Sequence, residues 1–175
     1  MTGELLNKYL KFGITKFCVG SLNQAKEIKN ILPEAEIVGS ITMNINKEKI
    51  ENNKEEYLEY FDSFVLNYTY NNNLEKIKQL PNYYRYILIV NSICDTRCEG
   101  QPECFDSVYH NDFICPYIHD LKRDRQNIAT ISFSDLRTYD NFIFSYKIVE
   151  RGSPTNLILT QLILYSMNDN NLILN

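Results

Sequence analysis

A chain of 175 residues with 44% hydrophobic and 23% charged residues, 6 glycines and 5 prolines has the size and composition of one globular domain, not of a disordered or fibrous chain. Its formal net charge of −4 excludes the broad electrostatic attraction to nucleic acid that clustered Lys and Arg provide. The basic run Lys122-Arg123-Asp124-Arg125 carries an aspartate and reads as a solvated helix end.

Residues 1–15 mix acidic and basic side chains without an apolar core, so they read as no secretory signal. No stretch reaches the roughly 18 apolar residues of a membrane helix, and the segment 157–167 is too short and contains Thr160 and Gln161. A cytoplasmic, reducing location is the expectation, in which the five cysteines serve as thiols or metal ligands and not as disulfides.

In chain order, Thr15–Val19 reads as a strand, and Ser21 with Gln24 has the S-x-x-Q spacing of a capping box. A helix with a buried stripe of Leu22, Ala25, Ile28 and Ile31 follows, and Pro33 stops it. Glu36–Ile45 is a strand, and Lys47–Tyr60 a charged helix burying Ile50, Tyr57, Leu58 and Phe61. Ser63–Leu66 is a strand, after which Asn73 caps a helix carrying Leu74, Ile77 and Leu80 before Pro81. Tyr86–Val90 is the continuous apolar run of a parallel strand covered on both faces.

The alternation breaks at a cysteine-rich insertion over residues 92–127. Ile128–Phe133 and Phe142–Val149 then read as strands, with a helix start at Ser134-Asp135-Leu136 between them. Ser153-Pro154 opens a last helix, 154–167, apolar nearly all round and expected to be buried. Strands alternating with helices at this pitch predict right-handed βαβ crossovers and an α/β domain of about six mainly parallel strands spanning 1–175.

Cys94, Cys98, Cys104 and Cys115 fall in one loop directly after a strand, at the carboxyl end where parallel α/β folds bind ligands. Four thiolates match the ligand count of zinc or an iron–sulfur cluster, although C-x3-C-x5-C-x10-C is not the spacing of a zinc ribbon. Buried structural thiols, or a redox or nucleophilic cysteine, are the alternatives. His110 and His119 are substitute ligands or ordinary loop residues. Cys18, inside a strand, reads as a buried apolar thiol, or as a fifth ligand at the barrel mouth if the sheet curls into a barrel.

Ser145, Lys147, Val149 and Arg151 share one strand face by alternation, and Gly152-Ser153 leads into a helix amino terminus. Lys147 and Arg151 are therefore candidate holders of a substrate carboxylate or phosphate, with pairing of Lys147 to a buried acid as the alternative. Asn91 ends its strand beside the cysteine loop and either orients a ligand or caps the turn, whereas Asn71-Asn72-Asn73 reads as turn and capping material. There is no H-E-x-x-H zinc helix and no nucleophile–base pair at recognisable spacing, so no catalytic residue is assigned.

The run Tyr86-Ile-Leu-Ile-Val-Asn91-Ser-Ile-Cys94 with Cys98, then Ile131-Ser-Phe-Ser-Asp-Leu136 with Tyr139, then Tyr146-Lys147-Ile148-Val149-Glu150-Arg151, resembles the later part of the peptidase U32-like proteins. Gly20-Ser21 and Gly39-Ser40-Ile41 are similar to earlier strand ends of that barrel. The chain departs from the family pattern at Cys98-Glu99, Ser134 and Glu150. The resemblance implies an incomplete (β/α) TIM-barrel-like domain with Asn91, Lys147 and Arg151 facing substrate. Some relatives carry a cysteine-bound [4Fe-4S] cluster, and Cys94 and Cys98 match the family's motif; zinc is the alternative that the four thiolates themselves offer. The expected activity is that of a U32 peptidase-like or iron–sulfur-dependent enzyme acting on a small anionic or peptide substrate. The competing expectation is a non-catalytic truncated barrel, completed by a second copy or a complementary chain.

Overall fold

The computed structural model describes residues 8–9, 11–92, 129–149 and 155–168. The chain is mixed α/β. Its five described strands are β1 (Lys16–Val19), β2 (Glu36–Gly39), β3 (Ser63–Val65), β4 (Arg85–Ile89) and β5 (Ser145–Lys147). Their sheet order is β1-β2-β3-β4-β5, with β1 and β5 at its ends. The described pairings β1–β2, β2–β3 and β4–β5 are parallel, as the alternation of strands and helices predicts. Closure into a barrel is not among the described features. The helices whose bounds are described are α1 (Leu22–Ile31), α2 (Lys47–Asn52), α3 (Lys54–Tyr60), α4 (Leu74–Lys78) and α5 (Thr155–Asn168). No helix among the described residues is long and apolar enough to cross a membrane.

The chain folds as two compact units, Met1–Leu66 with Leu80–Tyr86, and Asn67–Gln79 with Ile87–Asn175. In the first, Phe17, Val19, Ile37 and Phe64 are buried together with Ala25 and Ile28 of α1 and Tyr57 of α3. Tyr57, Phe61, Phe64 and Tyr84 form a chain of ring contacts at 4.9–5.5 Å between centroids. Gly39 pairs with Phe64 across β2–β3, and a Cβ there would lie 2.7 Å from Phe64 Cε1 and 3.1 Å from Met43 Sδ. The strand ends in glycine because the phenylalanine ring occupies the space of a side chain.

Several local expectations are corrected. The helix expected over 47–60 breaks at Asn53, whose side-chain amide donates to Lys49 O at 2.8 Å. After that break Tyr57 and Phe61 face inward, one turn apart, and Leu58 is exposed. Leu22 is half-buried and Ile31 exposed at the two ends of α1, where the stripe runs past the sheet. Cys18 is exposed, because β1 alternates and places Lys16 and Cys18 on its open side.

In the second unit, residues 129–133 form no strand; one backbone bond, from Ile131 N to Val90 O at 2.9 Å, links them to the segment after β4. The expected strand 142–149 is confined to Ser145–Lys147, and the helix start at Ser134 becomes a 3-10 turn over Leu136–Thr138. Helix α5 is not buried all round: Tyr165 is buried, while Leu159, Ile163 and Leu164 are exposed.

Candidate functional site

The carboxyl ends of β2 and β3 are built alike. Ser40 accepts a hydrogen bond from Thr42 N at 3.4 Å and opens a 3-10 turn that closes at Asn44. Asn67 accepts from Thr69 N at 2.8 Å and opens a 3-10 turn that closes at Asn71. Short polar side chains that bond the backbone two residues on are the usual device for such turns. In the second unit that turn delivers Asn71 to the end of β4.

Of the buried polar residues, Asn67, Asn71, Asn91 and Ser92 all belong to this region of the second unit. The Asn71 amide nitrogen donates to Ile89 O at 2.6 Å and, in a very short contact, to Ala129 O. Its Oδ1 is buried without a hydrogen-bond partner among the described residues. Asn72, in the left-handed conformation at φ 57°, donates to Thr130 O at 3.2 Å. Thr130 Oγ1 donates to Ser92 O at 2.8 Å. From α5, the Tyr165 hydroxyl meets Val90 O at 3.1 Å and Ile131 O at 3.0 Å. Burial of this phenol pushes its pKa up to about 12.

Asn91 has a different set of partners. Its Nδ2 donates to Val149 O at 3.0 Å and to Gln161 Oε1 at 2.8 Å, and its Oδ1 accepts from Val149 N at 2.9 Å. The side chain thereby mimics a ladder residue, extending β4 toward the continuation of β5 and tying both to α5. Three of its four bonding positions are occupied inside the fold. Lys147, in register with Ile89, is exposed at the end of β5 and makes no ion pair among the described residues. Arg151 lies outside the described residues, as do Cys94, Cys98, Cys104, Cys115, His110 and His119. Among the described residues there is no group of three metal-ligating side chains.

Comparison with family models, curated proteins and solved structures gives no match. The likeness to peptidase U32 therefore rests on the quoted residues alone.

The sequence reading missed Asn71, Thr130 and Tyr165, which stitch the chain on either side of the cysteine-rich segment. A signal was present: Ser40-Ile41-Thr42-Met43-Asn44 and Asn67-Tyr68-Thr69-Tyr70-Asn71 share a cap-x-Thr-x-Asn spacing after successive strands. Lys76 was also missed. Its ammonium bonds Thr69 Oγ1 at 2.8 Å and lies 4.4 Å from the centre of the Tyr70 ring, and desolvation holds its pKa below the usual lysine value.

Proposed function

We propose that the chain is a peptidase U32-like α/β protein whose cysteine segment binds a metal centre and whose β5 end takes an anionic substrate. The observation that carries this reading is the mounting of that segment. The chain on its two sides, Ile89–Ser92 and Ala129–Ile131, is held together just beyond the carboxyl end of β4 by Asn71, Thr130 and Tyr165. Parallel α/β folds place their ligands at that end of the strands. In this reading Cys94, Cys98, Cys104 and Cys115 are the ligands. A donor set of four soft thiolates suits a [4Fe-4S] cluster or, alternatively, zinc. The centre would supply Lewis-acid or redox chemistry, and Lys147 with Arg151 would hold a substrate carboxylate or phosphate by charge-assisted hydrogen bonds.

The test is anaerobic purification followed by iron, sulfide and zinc analysis and a visible absorption spectrum. Stoichiometric metal that disappears in Cys94→Ser and Cys98→Ser variants is expected. Metal-free protein that fails to take up either zinc or a reconstituted cluster would remove the reading.

A second reading, a barrel portion completed by another chain, is favoured by exposed rings close to the two end strands: Phe12 is 82% and Phe144 51% exposed. Gel filtration with light scattering separates the two readings, since a monodisperse monomer argues against obligate completion.

A further inference from the structure

The stitches around the cysteine-rich segment have a property that does not depend on what the segment binds. Asn71 reaches residues 89 and 129, Tyr165 reaches 90 and 131, Thr130 reaches 92, and the backbone joins Ile131 to Val90. Each bond links the chain just before residue 93 to the chain just after residue 128, or clamps both from a third element. Most of the residues involved are buried: Val90, Ala129 and Ile131 are wholly inaccessible, Asn71 is 1% and Tyr165 3% exposed, while Thr130 is exposed.

We infer that the second unit closes on its own across this clasp, so that residues 93–128 are carried as an insertion whose presence, ligand state or cleavage leaves the surrounding fold in place. Tolerance to excision is decided by the burial and hydrogen bonding of the affected backbone, and here the two flanks are bonded to each other, with Val90, Ala129 and Ile131 buried. The entropic cost of closing a loop grows only slowly with its length, so replacing a long connection by a short one changes stability modestly and in the favourable direction. The flanks are close enough for a short connection, because Thr130 Oγ1 and Ser92 O are 2.8 Å apart. This inference is independent of the metal reading: it holds for a cluster loop, a zinc loop or a loop that recognises a partner.

The experiment replaces residues 93–128 in the full chain with about four Gly and Ser residues. It compares far-UV circular dichroism and thermal unfolding with the parent. Retained secondary structure with a midpoint within about 8 °C of the parent is the expected result. A folded variant with a larger drop overturns the inference. Should the shortened chain not fold, a second variant decides. It carries a site-specific protease sequence between Gly100 and Gln101 and is cut after folding. Fragments that co-elute at the parent's size and unfold together support a closed clasp, and fragments that separate overturn it.

Discussion

A primary amide has two donor hydrogens and two acceptor lone pairs, and Asn71 and Asn91 fill them in different ways. Asn91 satisfies both directions of Val149 and reaches Gln161 as well, whereas Asn71 gives its donors to two carbonyls and leaves Oδ1 buried alone. Asn91→Asp keeps the acceptor for Val149 N but turns lone pairs toward Val149 O and Gln161 Oε1. It should therefore cost about 1–3 kcal/mol in urea denaturation, the range expected for buried groups left unsatisfied. Loss of stability with unchanged metal content would mark Asn91 as a structural brace, and unchanged stability would restore it as a candidate substrate contact. Gly39→Ala tests the other close approach. Its methyl would meet the Phe64 ring, and a destabilisation of about 1–3 kcal/mol is expected from overpacking. Asn91 was legible as a strand-end residue, but its role was not. Val149 lies 58 positions away, and nothing local in the sequence announces that pairing.

Among the secondary-structure elements, those with local causes were legible and those with distant causes were not. The helix start at Ser21 has its cap: Ser21 Oγ accepts from Gln24 N at 3.3 Å. The returning bond from the glutamine lands one residue earlier than a capping box requires, on Gly20 N at 2.9 Å. Ser21→Ala should therefore cost about 1 kcal/mol, and Gln24→Ala should add to it only in part, because both act on the same turn. A double-mutant cycle by chemical denaturation checks this, and strict additivity would show that the two bonds are independent. Asn73 likewise caps α4 as its sequence position suggests, accepting from Lys76 N at 3.0 Å. The segment 129–133 defeated the same approach. Its apolar alternation is that of a strand, yet Asn71, Asn72 and Tyr165 take the carbonyls of 129, 130 and 131 that a ladder would need. Periodicity reports burial: Ala129 and Ile131 are buried and Thr130 and Ser132 exposed, yet the segment forms no strand. Helix α5 shows the converse error, since uniform apolarity predicted burial on all sides while Leu159 and Ile163 are more than half exposed.

At the scale of the whole molecule, the parallel α/β class was legible because alternating strands and helices admit few other topologies. The division into two units was not, because its boundary falls within β4 and no linker composition marks it. Both units share one electrostatic property, which carries the last prediction. Burial raises the pKa of Tyr57 and Tyr84 in the first unit and of Tyr139 and Tyr165 in the second. A phenol whose folded pKa exceeds the ordinary value of 10.0 gives up its proton first in the unfolded chain. Above that pH the unfolded state binds fewer protons than the native state, so stability must fall as pH rises. The contribution is fully present below pH 10, and for Tyr165 it is lost as the pH climbs from there to about 12. At about 1.4 kcal/mol per pH unit this amounts to at most about 3 kcal/mol for Tyr165 alone. Tyr165→Phe should cost about 1–2 kcal/mol near neutrality, where the hydroxyl bonds to Val90 and Ile131 are lost, and should also flatten the alkaline decline. Urea midpoints measured at about pH 8, 10 and 11 should therefore converge for parent and variant as the pH rises. Parallel alkaline slopes would mean that the phenol ionises as easily in the folded chain as in the unfolded one, and that its place between the two carbonyls is not the buried one described.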